Sequence, residues 1–161
     1  MDLQEILASA QILPDLQTTS KERAVQEMLD HLVGANKLPT KLAHKAVKAI
    51  LAREVEGSTG VGMGVGIPHD ESDSYDNVVL AIAKSKTGIS YEALDGEPVF
   101  VVFLVLAPKS QHAFYLETLG FIVRLTRNEN HVRFLRDVEG EEATKNLLAE
   151  ISKEHLVPQG T

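Results

Sequence analysis

Val99–Ala107 reads VFVVFLVLA, nine residues with no polar side chain among them. A membrane-crossing helix needs about 20 apolar residues, so this run is too short to span a bilayer. It has the right length for a strand buried on both faces, and such a strand needs covering layers above and below. The chain is 161 residues long, 43% hydrophobic and 24% charged, ordinary figures for one globular domain. The expected architecture is α/β: a single domain over 1–161, with a mixed central sheet of about five strands flanked by helices on both faces. The tail EHLVPQGT, from about Glu154, is expected to fray.

The flanking sequence supplies the layers. The opening LQEILASAQIL mixes helix and strand signals before Pro14. Thr19 and Glu22 have capping-box spacing, which predicts a helix with Thr19 as N-cap and Ala24, Val25, Met28, Leu29, Leu32 and Val33 on its inner face, ending near Gly34. Pro39-Thr40 opens a second helix that runs to about Glu54 and is closed by Gly57. Val78–Ala83 reads as a strand and Gly88–Glu97 as turns. After Pro108, helices are expected over Gln111–Thr126, Glu129–Arg136 and Glu141–Ser152.

Between the second helix and these strands lies GSTGVGMGVGIPHD, residues 57–70. Glycines alternate with apolar residues, so an extended segment would carry Val61, Met63, Val65 and Ile67 on one face and only glycines on the other. A bare face lets a backbone or a ligand come close. Pro68 ends the pairing and leaves His69 just past the strand end, where ligands gather in α/β sheets. An isolated histidine there commonly does no more than bond the backbone. The cleared space and the rigid proline beside it favour a chemical role.

Other chemistries find little support. The net charge of −7 argues against nucleic acid as a partner. Lys41, Lys45 and Lys48 form a solvated helix face. There is no cysteine, which excludes disulfides and thiolate sites and fits a cytoplasmic protein. The glycine track lacks the lysine of a phosphate loop and the third glycine of a dinucleotide fingerprint. No HExxH or G-x-S-x-G is present, and no two histidines stand four apart, so no metal and no cofactor are expected. His31, His44, His131 and His155 read as surface residues.

REVEGSTGVGMGVGIPH, residues 53–69, resembles the signature R-E-x-x-G-S-T-G-I-G-x-G-I-A-I-P-H of enzyme IIA, type 2, the mannitol/fructose class of the phosphoenolpyruvate-dependent sugar phosphotransferase system. The likeness extends from TSKERAVQEML through LDGEPVFVVFLVLAP to LLAEI, and within the class it is nearest to the stand-alone nitrogen-regulatory IIA proteins. The resemblance implies a phosphoryl carrier of the transferase class, with His69 as acceptor. The donor would be the phosphocarrier HPr or a paralogue. The receiver would be a IIB component or a regulatory target, with no membrane insertion. A IIA for sugar transport and a regulatory binding module that is never phosphorylated remain alternatives. Imidazole suits the role, since much of it is neutral at pH 7. Arg53 matches the family arginine, and its guanidinium suits phosphate oxygens; a charge answering the helix dipole would also explain it. Ser58 and Thr59 would brace the turn or touch phosphate, and Gly62, Gly64 and Gly66 would admit the partner surface.

The family has a second histidine near the start of the helix after the long buried strand. Here either His112 or Tyr115 falls in that place, three residues apart on one helix face. The helix dipole would keep a first-turn His112 neutral, which favours it as the hydrogen-bonding partner. Tyr115 would donate to a phosphoryl oxygen without replacing imidazole as a base. Met63 stands where nitrogen-type members usually carry asparagine. Asp70, Glu71, Asp73 and Asp76 make an acidic rim that would favour a basic donor, or simply a solvated loop.

Overall fold

The computed structural model describes residues 2–156, with the side chains of 155 and 156 left aside. In chain order the elements are α1 (Leu3–Ser9), β1 (Gln11–Leu13), α2 (Lys21–Gly34), α3 (Thr40–Glu56), β2 (Gly60–Gly62), β3 (Val65–Gly66), β4 (His69–Glu71), β5 (Val79–Ile89), β6 (Val99–Ala107), α4 (His112–Thr126), α5 (Glu129–Asp137) and α6 (Glu141–Leu156). The ambiguous opening segment resolves into both structures it signalled. α1 carries a capping box from Asp2 and Glu5, and Gln11–Leu13 then joins the sheet.

All of the sheet is organised on β6. Its order is β1-β5-β6-β3-β2, with β4 also paired to β6. β5 runs antiparallel to β6, while β3 and β4 run parallel to it in succession. Six strands therefore form the mixed sheet where about five were expected. β6 alternates its side chains between two cores. Val101, Phe103, Val105 and Ala107 face α1, α4, α5 and α6. Val102, Leu104 and Leu106 face α2 and α3. The apolar run is thus buried on both sides, which is why it tolerates no polar residue.

Three boundaries differ from expectation. β5 runs past the expected end at Ala83 to Ile89, because it stays paired with β6 as far as Val99. Ser20, not Thr19, caps α2, because its hydroxyl accepts from the Arg23 backbone N–H; Ser20 also forms an isolated parallel bridge with Ser90. α6 continues to Leu156, so the first residues of the stretch expected to fray are helical, and 157–161 lie outside the described residues. Among the described residues no helix is long and apolar enough to cross a membrane.

Candidate functional site

The glycine track is not one extended segment. β2 and β3 form a tight antiparallel hairpin, with Gly60 opposite Gly66 and Gly62 opposite Val65. Its two turn residues, Met63 and Gly64, have φ of 59° and 76°. Two positive φ values in succession define the primed turn that matches strand twist. The turn breaks the expected alternation of faces: Val65 and Ile67 are buried, whereas Val61 and Met63 are exposed.

The bare glycine face is filled by the protein itself. A side-chain carbon on Gly66 would meet the Tyr91 ring at 2.9 Å, and one on Gly60 would meet Ala93 at 2.6 Å. One on Gly64 would crowd Phe100 at 3.2 Å. Gly64 and Gly66 thus leave room for Phe100 and Tyr91 of the protein itself. Gly62 has only the Asp95 carboxylate nearby, at 3.6 Å, and its φ of +94° accounts for the glycine.

A buried polar network that the sequence reading missed holds this hairpin to α3. Glu54 takes hydrogen bonds from the Thr59 hydroxyl and backbone N–H, from the Tyr91 hydroxyl, and from Lys21 Nζ at 3.3 Å. Lys21 also lies over the Tyr91 ring, 5.2 Å from its centroid. Burial and the adjoining Glu54 charge push the Tyr91 phenol far above its ordinary range, so it stays a donor. Ser58 accepts from the Gly60 N–H. Both hydroxyls thus act as braces, and that of Thr59 is buried away from the surface. Glu54 stands beside Arg53 in the matched motif, which was the available signal.

Pro68 does not end the pairing. Its carbonyl accepts from Val105, and His69–Glu71 continue as β4, in register with Val105–Ala107. His69 is thus a strand residue, half-buried, on the α4 side of the sheet. Its Nδ1 lies 2.7 Å from the Ile67 carbonyl. A carbonyl oxygen only accepts, so Nδ1 carries the proton and neutral His69 keeps its lone pair on Nε2. The Tyr115 ring lies 6.2 Å from the His69 ring and 6.1 Å from the His112 ring, tilted to both. Tyr115, rather than the favoured His112, is therefore the buried aromatic side chain set against His69. His112 opens α4 in an exposed position, with its Nδ1 2.6 Å from Glu71 Oε2.

Burial, then the charges of Glu71 and Asp70, push the Tyr115 phenol up to about 12, against an opposing pull from Arg53. Its hydroxyl meets no acceptor among the described residues and remains a fully protonated donor. Arg53, in the last turn of α3, donates from Nη1 to the Gly57 carbonyl at 2.7 Å and so caps the helix, while its charge still reaches Tyr115. Asp70 points to the opposite face, where it accepts from the Tyr75 hydroxyl at 2.7 Å.

Residues 5–151 match the family described as phosphoenolpyruvate-dependent sugar phosphotransferase system, EIIA 2. The chain belongs to this family. Among its curated relatives, the nitrogen regulatory protein of Bradyrhizobium diazoefficiens is 34% identical over 92% of this chain and 95% of its own length. The fructose-specific EIIA component of Haloferax volcanii is 33% identical over 82% of this chain and 84% of its own. The fructose-specific EIIABC component of Bacillus subtilis is 34% identical, but this EIIA chain spans only 24% of its length. Among solved structures, the nitrogen regulatory protein IIA-Ntr of Neisseria meningitidis superposes with a TM-score of 0.75 at 26% identity, covering 91% of this chain and 98% of that one. The Escherichia coli complex of enzyme IIA for mannitol with phosphorylated IIB shares the fold, with a TM-score of 0.72 at 17% identity and coverage of 86% and 94%. The chain therefore shares the fold of the EIIA family.

Proposed function

We propose that this protein is a phosphoryl carrier of the phosphotransferase system, with His69 Nε2 as the acceptor atom. The observation that carries the reading is the 2.7 Å contact between His69 Nδ1 and the Ile67 carbonyl, which leaves the lone pair on Nε2. In the transfer, that lone pair forms a bond to the phosphorus of a donor phosphohistidine. The donor's P–N bond breaks, and its electron pair returns to the donor ring nitrogen. The proton stays on Nδ1, hydrogen-bonded to the Ile67 carbonyl, which supports the positive charge that develops on the ring. The Tyr115 hydroxyl donates to a phosphoryl oxygen, and the exposed Arg53 guanidinium leaves its helix cap to neutralise the incoming charge.

The donor is an HPr-like phosphocarrier and the protein works in the cytoplasm. We assign it to a nitrogen-type regulatory branch, because the Bradyrhizobium relative matches over nearly the whole of both chains. In that branch its phosphorylation state selects a regulatory target. The comparably similar fructose EIIA of Haloferax supports the second reading, transfer to a sugar IIB component. Intact-mass spectrometry after incubation with phosphoenolpyruvate, enzyme I and HPr tests the acceptor. One acid-labile phosphoryl group is expected on the wild type and none on His69→Ala. An unmodified wild type, with donors active on another IIA, would refute the carrier reading for those donors.

A further inference from the structure

β4 places His69 and Glu71 two residues apart on one face, in register with Val105 and Ala107, and that face looks toward α4. Glu71 Oε2 meets His112 Nδ1 at 2.6 Å, the short distance of a charge-assisted hydrogen bond. The His112 side chain is 57% exposed and that of Glu71 is 21% exposed. Among the described residues, the other contact of the His112 ring is its tilted packing against Tyr115, 6.1 Å between centroids. Tyr115 is in turn the ring against His69. An exposed pair of this kind contributes little to stability, so its consequence is orientation.

From this we infer that Glu71 is a positioning residue for phosphoryl transfer, fixing His112 at the rim of the His69 site through its Nδ1–H. The inference rests on the reading of His69 as acceptor. A carboxylate accepts and does not donate, so the bond sets the proton of neutral His112 on Nδ1 and turns Nε2 away from β4. One carboxylate thereby orders the ring beyond Tyr115, and its charge also holds the Tyr115 proton in place. The Glu71 carboxylate itself forms no bond to phosphorus and moves no proton. Its counterpart on the other face, Asp70, is taken by Tyr75 and cannot substitute for it.

The test compares wild type, Glu71→Ala and Glu71→Gln by two readouts. The first is the ¹H–¹⁵N correlation spectrum of the histidine rings, without any donor. His112 is expected as the Nδ1–H tautomer in the wild type and in Glu71→Gln, whose amide oxygen accepts the same proton, and to lose that fixed tautomer in Glu71→Ala. His69 keeps its Nδ1–H in all three. The second is the transfer rate from phosphorylated HPr. Glu71→Ala should lower kcat about tenfold, in keeping with the cost of a misplaced group, with KM changed less than about twofold. Glu71→Gln should recover most of the rate. An unchanged kcat in Glu71→Ala, an unchanged His112 tautomer, or a change confined to KM would overturn the role; the last result would make Glu71 part of the docking rim only. A wild type that accepts no phosphoryl group would refute the carrier reading itself and this role with it, whereas a labelled Glu71→Ala at wild-type rate overturns the role alone.

Discussion

Tyr115 gives the clearest case of one residue's environment fixing what it does. Its phenol is buried beside Glu71 and Asp70, both of which oppose a second negative charge. Below pH 10 the folded and unfolded chains both keep the proton. Between pH 10 and about 12 only the folded chain keeps it, so this contribution to stability is complete below pH 10 and is lost as the pH climbs toward 12. Urea titrations across pH 9 to 12 should therefore show the wild type losing stability relative to Tyr115→Phe as the pH rises, since Tyr75 and Tyr91 are common to both. At neutral pH the same substitution removes a donor to the phosphoryl group, and kcat for transfer should fall about ten- to a hundredfold. A rate unchanged in Tyr115→Phe would show that the hydroxyl makes no such contact. His69 was legible in the sequence because proline and glycines isolate it. Glu71 was not legible as its neighbour, because three acidic-flanked residues after a proline carry no strand signal of their own, and their pairing comes entirely from β6.

The β2–β3 hairpin shows what an element-level pattern conceals. Alternation of glycine with apolar residues predicts one straight strand, yet the chain reverses at Met63-Gly64. The primed turn needs two residues at positive φ, and only one of them is glycine. Met63 at φ 59° is held in a conformation that L-residues other than asparagine, aspartate and glycine disfavour. The asparagine usual in nitrogen-type members thus has a backbone explanation. Met63→Asn should raise the stability to urea by about 0.5–1 kcal/mol, because the half-exposed methionine side chain loses little packing. A drop in the urea midpoint would mean that the methionine packs in a way its exposure does not suggest. The positions of the long helices were readable from their periodicity, with α2, α3 and α4 each found within a few residues, because amphipathic spacing is a property of the segment alone. The hairpin was not readable, because its turn is selected by how Gly66 and Gly60 fit around Tyr91 and Ala93, more than 20 residues away.

Across the whole molecule, one lysine ties the C-terminal helices to the sheet. Lys84 stands at the β5 bulge and donates to the carbonyls of Leu135 and Val138 and to the Thr144 hydroxyl. It thus answers the unpaired carbonyls at the end of α5 and joins them to α6. Burial pulls its ammonium below the ordinary lysine range, against the upward pull of Glu139 and Asp137. Lys84→Met should leave buried carbonyls unpaired and cost about 2 kcal/mol in urea unfolding, with phosphorylation of His69 intact below the transition. Loss of phosphorylation without loss of stability would point instead to coupling between this end of the molecule and the site. A sheet covered on both faces was legible from VFVVFLVLA alone, whereas the lysine's place was not, since an isolated cation in a strand looks like any solvent-facing residue.

The lacing of β3 and β4 onto β6 carries a consequence for the proposed carrier role. Amides in the strands that open last exchange with deuterium only when the whole domain unfolds, and the His69 strand is bonded to that innermost layer. His69 therefore sits on a post that does not travel. On the proposed carrier reading, a partner has to supply the motion, approaching the rim as a rigid body and meeting any added charge where it stands.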